Sequence, residues 1–343
     1  MARQTIENLR GEVQFRRKLF EQQVQGIPLF DDEFDASGIE AVLRDRMAAT
    51  LRDMHGLAQR GVVTSPYLEL GAERGQRALV IENELGWRGA ALDISQDLLR
   101  SCQHYARRFA YEHLPLRICG NAYRLPFRSG SLPFVFCYQT LHHFPDPEPI
   151  LEEIDRVLAP GGVFMFAEEP YARVLHWDLY EVQGGACSRE QRGTVRRVVD
   201  RFFGKARLNE EEHGVIENHD IPLREWDRLF AGFAESRFRL DVAGRLEADM
   251  SRRFSVKYLV AYLLGGNIAG VCQKAGALRD YASSVQEALI SPADLDQGHE
   301  VPLVREADRY RSGTGGTEYP VIDDIAFLLE ESTMTELYPE LRH

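Results

Sequence analysis

The feature that most constrains this chain is a strand, tight turn, helix and second strand in quick succession after residue 62. The apolar run Tyr67-Leu68-Glu69-Leu70 ends in the turn Gly71-Ala72-Glu73-Arg74-Gly75, helical spacing follows over Arg77 to Leu85, and Gly89-Ala90-Ala91-Leu92-Asp93 is a second short strand. This is a β-α-β unit. The alternation continues with a helix over Gln96 to Tyr111, strands at Leu116 to Cys119 and Phe134 to Tyr138, a helix over Pro149 to Leu158 and a strand at Val163 to Phe166. The last two are joined by the turn Pro160-Gly161-Gly162. Such alternation predicts an α/β fold, a doubly wound, Rossmann-like, mostly parallel sheet with its ligand at the carboxyl ends of the strands.

The flanks read differently. Residues 1–60 carry helical spacing (Phe15, Leu19, Phe20, then Ile39, Val42, Leu43, Met47, Leu51, Met54) broken by a turn-rich stretch from Gly26 to Asp35, and are expected to be covering helices without chemistry. After Pro170 the pattern loosens. Residues 171–220 read as a lid, with a basic amphipathic helix from Arg189 to Phe203 and an acidic patch at Glu210 to Glu212. Ile221 to Phe233 reads as a helix, and Ser251 to Leu264 as a return to the sheet. Beyond Gly265 a helical connector and a small C-terminal α+β module are expected, with strand-like segments at Tyr319 to Ile322 and Ile325 to Leu329. The organisation is thus a cover (1–60), a central domain with a lid (61–265) and a tail module (266–343).

Composition narrows the partners. With 53 acidic and 41 basic residues the formal charge is -12, which repels a phosphate backbone and disfavours nucleic acid. The five cysteines (Cys102, Cys119, Cys137, Cys187, Cys272) contain no Cys-x-x-Cys pair, as expected for reduced, buried thiols in a cytoplasmic protein. No apolar stretch approaches the roughly 18 residues of a membrane helix, so no membrane partner is expected. Nothing in the sequence sets an oligomeric state.

A cofactor lying across the β-α-β turn needs glycines where its body approaches the backbone and an acid to accept from ribose hydroxyls. Gly71, Gly75 and Asp93 stand at those positions. A plain tight turn would have the same glycines.

Five segments together resemble the class I S-adenosylmethionine-dependent methyltransferases, in particular the broad type 11 group. They are Glu69 to Gly75, Ala91 to Ser95, Gly120-Asn-Ala-Tyr-Arg-Leu-Pro-Phe127, Ser131 to Phe144 with Leu141-His142-His143-Phe144, and Arg156-Val-Leu-Ala-Pro-Gly-Gly162. The resemblance covers residues 62–170. It implies S-adenosylmethionine as cofactor, bound by Glu69, Gly71, Glu73, Gly75, Asp93, Ile94, Asn121, Ala122 and Gln139, and methyl transfer to an oxygen or nitrogen of a small-molecule acceptor. The chain departs from the pattern at three positions. Glu73 replaces the middle glycine and would either crowd the methionine moiety or hold its ammonium group; Asn121 stands where an acid is usual, and Pro133 where an aspartate is common.

Methyl transfer to a hydroxyl needs a base, and His142 and His143 lie where one could stand, unless they only pack against the sheet. His213, with Glu217 and His219, forms a second polar cluster in the expected lid and is a further catalytic candidate if the segment is helical, unless it is a solvated loop. Glu168 and Glu169, past the fifth strand, point toward the acceptor side, where one of them could orient the substrate, unless they only mark a solvated strand end.

In the tail, Leu289-Ile-Ser-Pro-Ala-Asp294 and Glu318-Tyr-Pro-Val-Ile-Asp-Asp-Ile-Ala-Phe-Leu-Leu329 resemble the small zinc-ribbon-like family that activates methyltransferases. The ligand cysteines are absent, Ser291 and Asp294 standing in their place, so no metal is expected. Two other readings use the same architecture. A nicotinamide oxidoreductase would want Gly-x-Gly-x-x-Gly and a Tyr-x-x-x-Lys pair, neither of which is present. A non-catalytic scaffold is the second, supported by Glu73 and the missing cysteines.

Overall fold

The computed structural model describes residues 2–24, 36–172, 218, 221–242, 244–295, 297–313 and 316–341. Of the expected lid, Tyr171 belongs to the fifth strand and Ala172 and Asn218 are described; the rest, with its arginine helix, His213, Glu217 and His219, lies outside the described residues.

Twelve strands form one sheet in the order β7-β6-β8-β5-β4-β1-β2-β3-β12-β11-β10-β9. The centre is the expected one: β1 (Tyr67–Leu70), β2 (Gly89–Asp93), β3 (Leu116–Gly120), β4 (Leu132–Tyr138) and β5 (Leu158–Tyr171) pair in parallel. These strands are buried on both faces, as parallel strands between helical layers must be, and their near-continuous apolar runs follow from that. The sheet as a whole is mixed instead of mostly parallel. β6 (Glu235–Val242), β7 (Leu246–Asp249) and β8 (Gly266–Gln273) add an antiparallel flank beside β5.

That flank corrects two expectations. Residues 266–273 are not the start of a connector helix but β8, the strand next to β5, so the central sheet runs past residue 265. The segment expected to return to the sheet contains a helix, α6 (Val256–Leu264), opened by Ser255, whose hydroxyl accepts from Tyr258 N at 3.1 Å. The polar residues alternating along β6 hid it, because its pattern is that of a half-exposed strand: Leu240 is its one buried residue.

On the other flank the tail closes onto the domain. β12 (Ile325–Leu328) runs parallel to β3, pairing Ile325 with Arg117 and Leu328 with Gly120. β11 (Glu318–Ile322), β10 (Arg309–Ser312) and β9 (Leu303–Arg305) follow antiparallel. Asp323 and Asp324, at φ 52° and 59°, make the left-handed two-residue turn that a tight β11-β12 hairpin requires. The edge of β3 is thereby covered by the chain itself.

Helices α1 (Ala2–Val24) and α2 (Ala36–Gln59) lie over one face, burying Leu9, Val13, Met47, Met54 and Leu57 against the residues that β1, β4 and β5 send to that side. α3 (Gln76–Val80) follows the first turn, α4 (Gln96–Arg108) the second strand and α5 (Glu148–Val157) the fourth. α4 is capped by Ser95, whose hydroxyl accepts from Leu98 N at 3.4 Å. No helix among the described residues is long and apolar enough to cross a membrane.

Candidate functional site

A cavity of about 540 Å³ opens where the carboxyl ends of β1, β2, β4 and β5 meet, at the point where the strand order reverses between β1 and β4. Its wall includes Gly71, Asp93, Ala122, Gln139, His142 and Glu168.

Two glycines shape the first turn. Gly71 has φ 62°, and a Cβ there would meet the Thr140 hydroxyl at 2.5 Å, so the turn can approach β4 only without a side chain. Gly75, at φ 65°, precedes α3, and a Cβ would meet the Cys102 sulfur at 2.9 Å. Its role is to seat α3 on α4; it does not line the cavity.

Asp93 closes β2 and is buried. Its Oδ1 accepts from Ser95 N at 2.8 Å and its Oδ2 from Glu73 N at 2.8 Å. Burial pushes its carboxyl up to about 6, against these two amide bonds. Each carboxylate oxygen has a second lone pair, so Asp93 retains the capacity to accept from hydroxyls of a ligand. Glu69 is buried deeper, accepts from Ala78 N at 3.1 Å and thereby anchors the start of α3 to β1; burial pushes it up to about 8.

Glu73 takes a left-handed backbone, φ 47°, and its carboxylate is held by arginines. Arg46 of α2 approaches it at 2.8 Å, Arg16 of α1 at 3.5 Å and Arg74 at 3.7 Å. Burial works to raise its pKa, but the arginines outweigh it and leave the group at about 2. Neither role envisaged for Glu73 accounts for this. The side chain is tied to the two covering helices, which were expected to be without chemistry and instead send Arg16, Arg46, Glu12 and Phe15 to the cavity wall. Helical spacing shows which residues of such a helix face inward, but not that the inner face meets a turn bearing an acid.

Arg77 is buried beside this cage. It donates to Thr50 Oγ1 at 2.9 Å and to Glu168 at 3.0 Å, and its guanidinium lies 3.6 Å from the centre of the Tyr138 ring, whose hydroxyl donates to Asp53 at 2.9 Å.

The fifth strand contains a β-bulge. Phe164 and Phe166 face one side of the sheet and Met165 and Ala167 the other. The β5-β8 register then shifts between Phe166 and Glu169, with Glu168 left-handed at φ 62°. The extra residue swings Glu169 onto the face of Phe166, where strict alternation would send it the other way. There its Oε1 accepts from Thr140 N at 2.7 Å and Leu141 N at 2.9 Å, while Oε2 accepts from His142 N at 3.2 Å and bonds His142 Nδ1 at 2.8 Å. Fully buried, Glu169 organises the turn after β4 and orients the imidazole of His142. With Nδ1–H given to the carboxylate, the imidazole lone pair is on Nε2.

Of the residues named from the sequence, Glu69, Gly71, Glu73, Asp93, Ile94, Ala122, Gln139, His142 and His143 line one cavity. Asn121 is not among them: its Oδ1 accepts from Tyr123 N at 3.0 Å and caps its own turn, so Ala122 and Tyr123 face the cavity instead. The centres of the His142 and His143 rings lie 4.3 Å apart, the rings tilted by 34°. Glu73, Gln139 and Glu168 are all left-handed without being glycine, at a cost of roughly 1–2 kcal/mol each, and all three stand on this wall.

In the tail the positions expected to lack zinc ligands are bound together by hydrogen bonds. Ser291 Oγ and Tyr319 Oη are 2.8 Å apart, Ala293 N donates to Tyr319 Oη at 3.1 Å, and Ser312 Oγ donates to Asp294 at 2.7 Å.

Residues 68–166 match the family described as a methyltransferase domain. The chain is 38% identical over 78 residues to an uncharacterized chloroplastic methyltransferase of Arabidopsis thaliana, 22% of each chain. It is 27% identical over 143 residues to the sarcosine/dimethylglycine N-methyltransferase of Halorhodospira halochloris, 41% of this chain and 49% of that one. The matches therefore span half or less of these two relatives. Among solved structures, the complex of the Haloferax volcanii Trm112 methyltransferase activator with a methyltransferase is similar at 19% identity and a TM-score of 0.43, over 76% of this chain and 98% of that one. Residues 68–166 thus resemble a methyltransferase domain, and these two relatives of the chain are methyltransferases.

Proposed function

We propose that the cavity binds S-adenosylmethionine and that the protein transfers its methyl group to an oxygen or nitrogen of a small-molecule acceptor. The observation that carries this reading is the pairing of Asp93 with the Gly71 turn in a cavity of about 540 Å³, a size suited to a nucleoside-bearing ligand. Asp93 would accept from the ribose hydroxyls. Gly71, Glu69 and Gln139 would border the amino-acid end, with Ile94, Ala122 and Tyr123 beside the base. When bound, the cofactor supplies an electrophilic methyl group.

The chain's own part is to position the acceptor and to take its proton. His142 Nε2 would receive that proton, and the negative charge of Glu169 behind Nδ1 would stabilise the imidazolium that forms. His143 lies against His142 with its ring tilted and would shape the acceptor side. His213, outside the described residues, keeps its place as a candidate from the sequence alone.

The test is transfer of label from methyl-labelled S-adenosylmethionine to a panel of small hydroxyl and amine acceptors, with His142→Asn as comparison. Transfer by the native protein that falls at least about a hundredfold in the variant supports the reading. Equal transfer by both removes His142 as the base.

A further inference from the structure

The C-terminal segment reaches the cavity from behind. Helix α7 (Glu331–Leu337) follows β12, and the next residue, Tyr338, is fully buried, packed edge-on against Phe327 with ring centres 5.8 Å apart. Its hydroxyl donates to Ile94 O and accepts from Gln96 N at 3.1 Å. One hydroxyl thus bridges the two sides of the loop Asp93-Ile94-Ser95-Gln96. The same loop carries Asp93 and Ile94 on the cavity wall and Ser95 as the cap of α4. Cys119 Sγ, on β3, donates to Ile94 O at 3.4 Å from the same side.

A second tie runs through the first helix. Arg17 of α1 donates to Glu340 at 2.6 Å and to Asp97 in the first turn of α4 at 3.3 Å, and its guanidinium lies 5.9 Å from the centre of the Tyr338 ring. Arg10 pairs with Glu336. The tail therefore holds both the Asp93 loop and the helix that brings Arg16 to Glu73.

We infer that Tyr338 is a positioning residue for the cofactor, fixing the Asp93 loop through Ile94 and Gln96 so that a segment more than 240 positions away completes the ribose site. The inference rests on the methyl-transfer reading of the cavity. The geometry favours it over a packing role alone: the phenol ring fills apolar space beside Phe327, while its hydroxyl, beside the Cys119 thiol, bridges Ile94 O and Gln96 N of the loop. Removing only that oxygen leaves Ile94 O and Gln96 N to find other partners, and the loop loses the bridge that sets its width.

The experiment is titration of the full chain with S-adenosylhomocysteine, comparing Tyr338→Phe with the native protein, each with its melting curve, and repeating both in an Asp93→Asn background. Tyr338→Phe is expected to weaken binding about five- to tenfold, and to do so much less once Asp93 is already altered. Unchanged affinity overturns the inference, with or without a lower melting temperature, because a purely structural tyrosine would move only the melt. Absence of binding by the native protein overturns the cavity reading and the inference with it, a result distinguishable from the first. Should Tyr338→Phe not fold, Arg17→Gln severs the second tie and is expected to weaken binding about two- to threefold, with unchanged affinity again contradicting the inference.

Discussion

The backbone N–H of Glu73 donates to Oδ2 of Asp93 at 2.8 Å, so the turn after β1 and the acid at the end of β2 are joined before any ligand arrives. Replacing Asp93 with alanine removes an acceptor from the ribose site and from this turn together. S-Adenosylmethionine affinity is expected to fall by about 1.5–3 kcal/mol, the range for hydrogen bonds to a charged group, as read by calorimetry. Affinity equal to native would remove Asp93 from the site.

The same residue sets a pH dependence. Burial holds Asp93 at about 6, above the ordinary aspartate value, so it takes up a proton while still folded as the pH drops through 6. Ribose hydroxyls favour the ionised form, so cofactor affinity is expected to be level above about pH 7 and to fall by up to roughly tenfold per pH unit below 6. A titration series from pH 8 to 5 checks this, and Asp93→Asn should flatten it.

Glu73 behaves in the opposite sense. Its carboxyl lies at about 2, below the ordinary glutamate value, so its contribution to stability is fully present above about pH 4.5 and is lost as the pH falls toward 2. Glu73→Gly relieves a left-handed backbone but leaves Arg46 and Arg16 facing each other across the cavity. The net expectation is a loss of about 1–3 kcal/mol of stability at pH 7, measured by chemical unfolding, with the deficit shrinking in acid. A more stable variant would show that backbone strain outweighs the arginine contacts.

Glu169→Gln tests the orientation of His142. The amide can accept at one end only, so it cannot serve both the turn amides and His142 Nδ1 as the carboxylate does. Nitrogen-detected NMR of the imidazole is expected to show one tautomer, protonated at Nδ1, in the native protein and a mixture in the variant. An unchanged His142 signal would mean the ring is held by something other than Glu169.

Much of this was legible in the residues themselves. The five central strands, the Gly71 turn and Asp93 follow from apolar runs and their breaks, because strands buried on both faces have little choice of composition. The antiparallel flank was less so: β6 buries Leu240 alone and β8 places glycines and small residues at the crossing with Phe166 and Phe238. Glu169 could not be distinguished from Glu168, since only the bulge in β5 decides which one turns inward. Arg16, Arg46 and Tyr338 act across 27 to 244 positions of sequence, and no local pattern records such contacts.

In the tail, Ser291 bonds Tyr319 and Ser312 donates to Asp294, tying two segments together through hydrogen bonds. A chelator is expected to leave the melting temperature unchanged, whereas Ser291→Ala should lower stability by about 1–3 kcal/mol through the buried hydroxyl it strands on Tyr319. Chelator-induced melting would reveal a bound metal and contradict this account.

The most direct measurement is calorimetric titration of the folded native protein with S-adenosylmethionine, S-adenosylhomocysteine and NADH in parallel. The account predicts micromolar binding of the first two and none of the third. A folded protein that binds neither of the first two, or that binds NADH in their place, would contradict it.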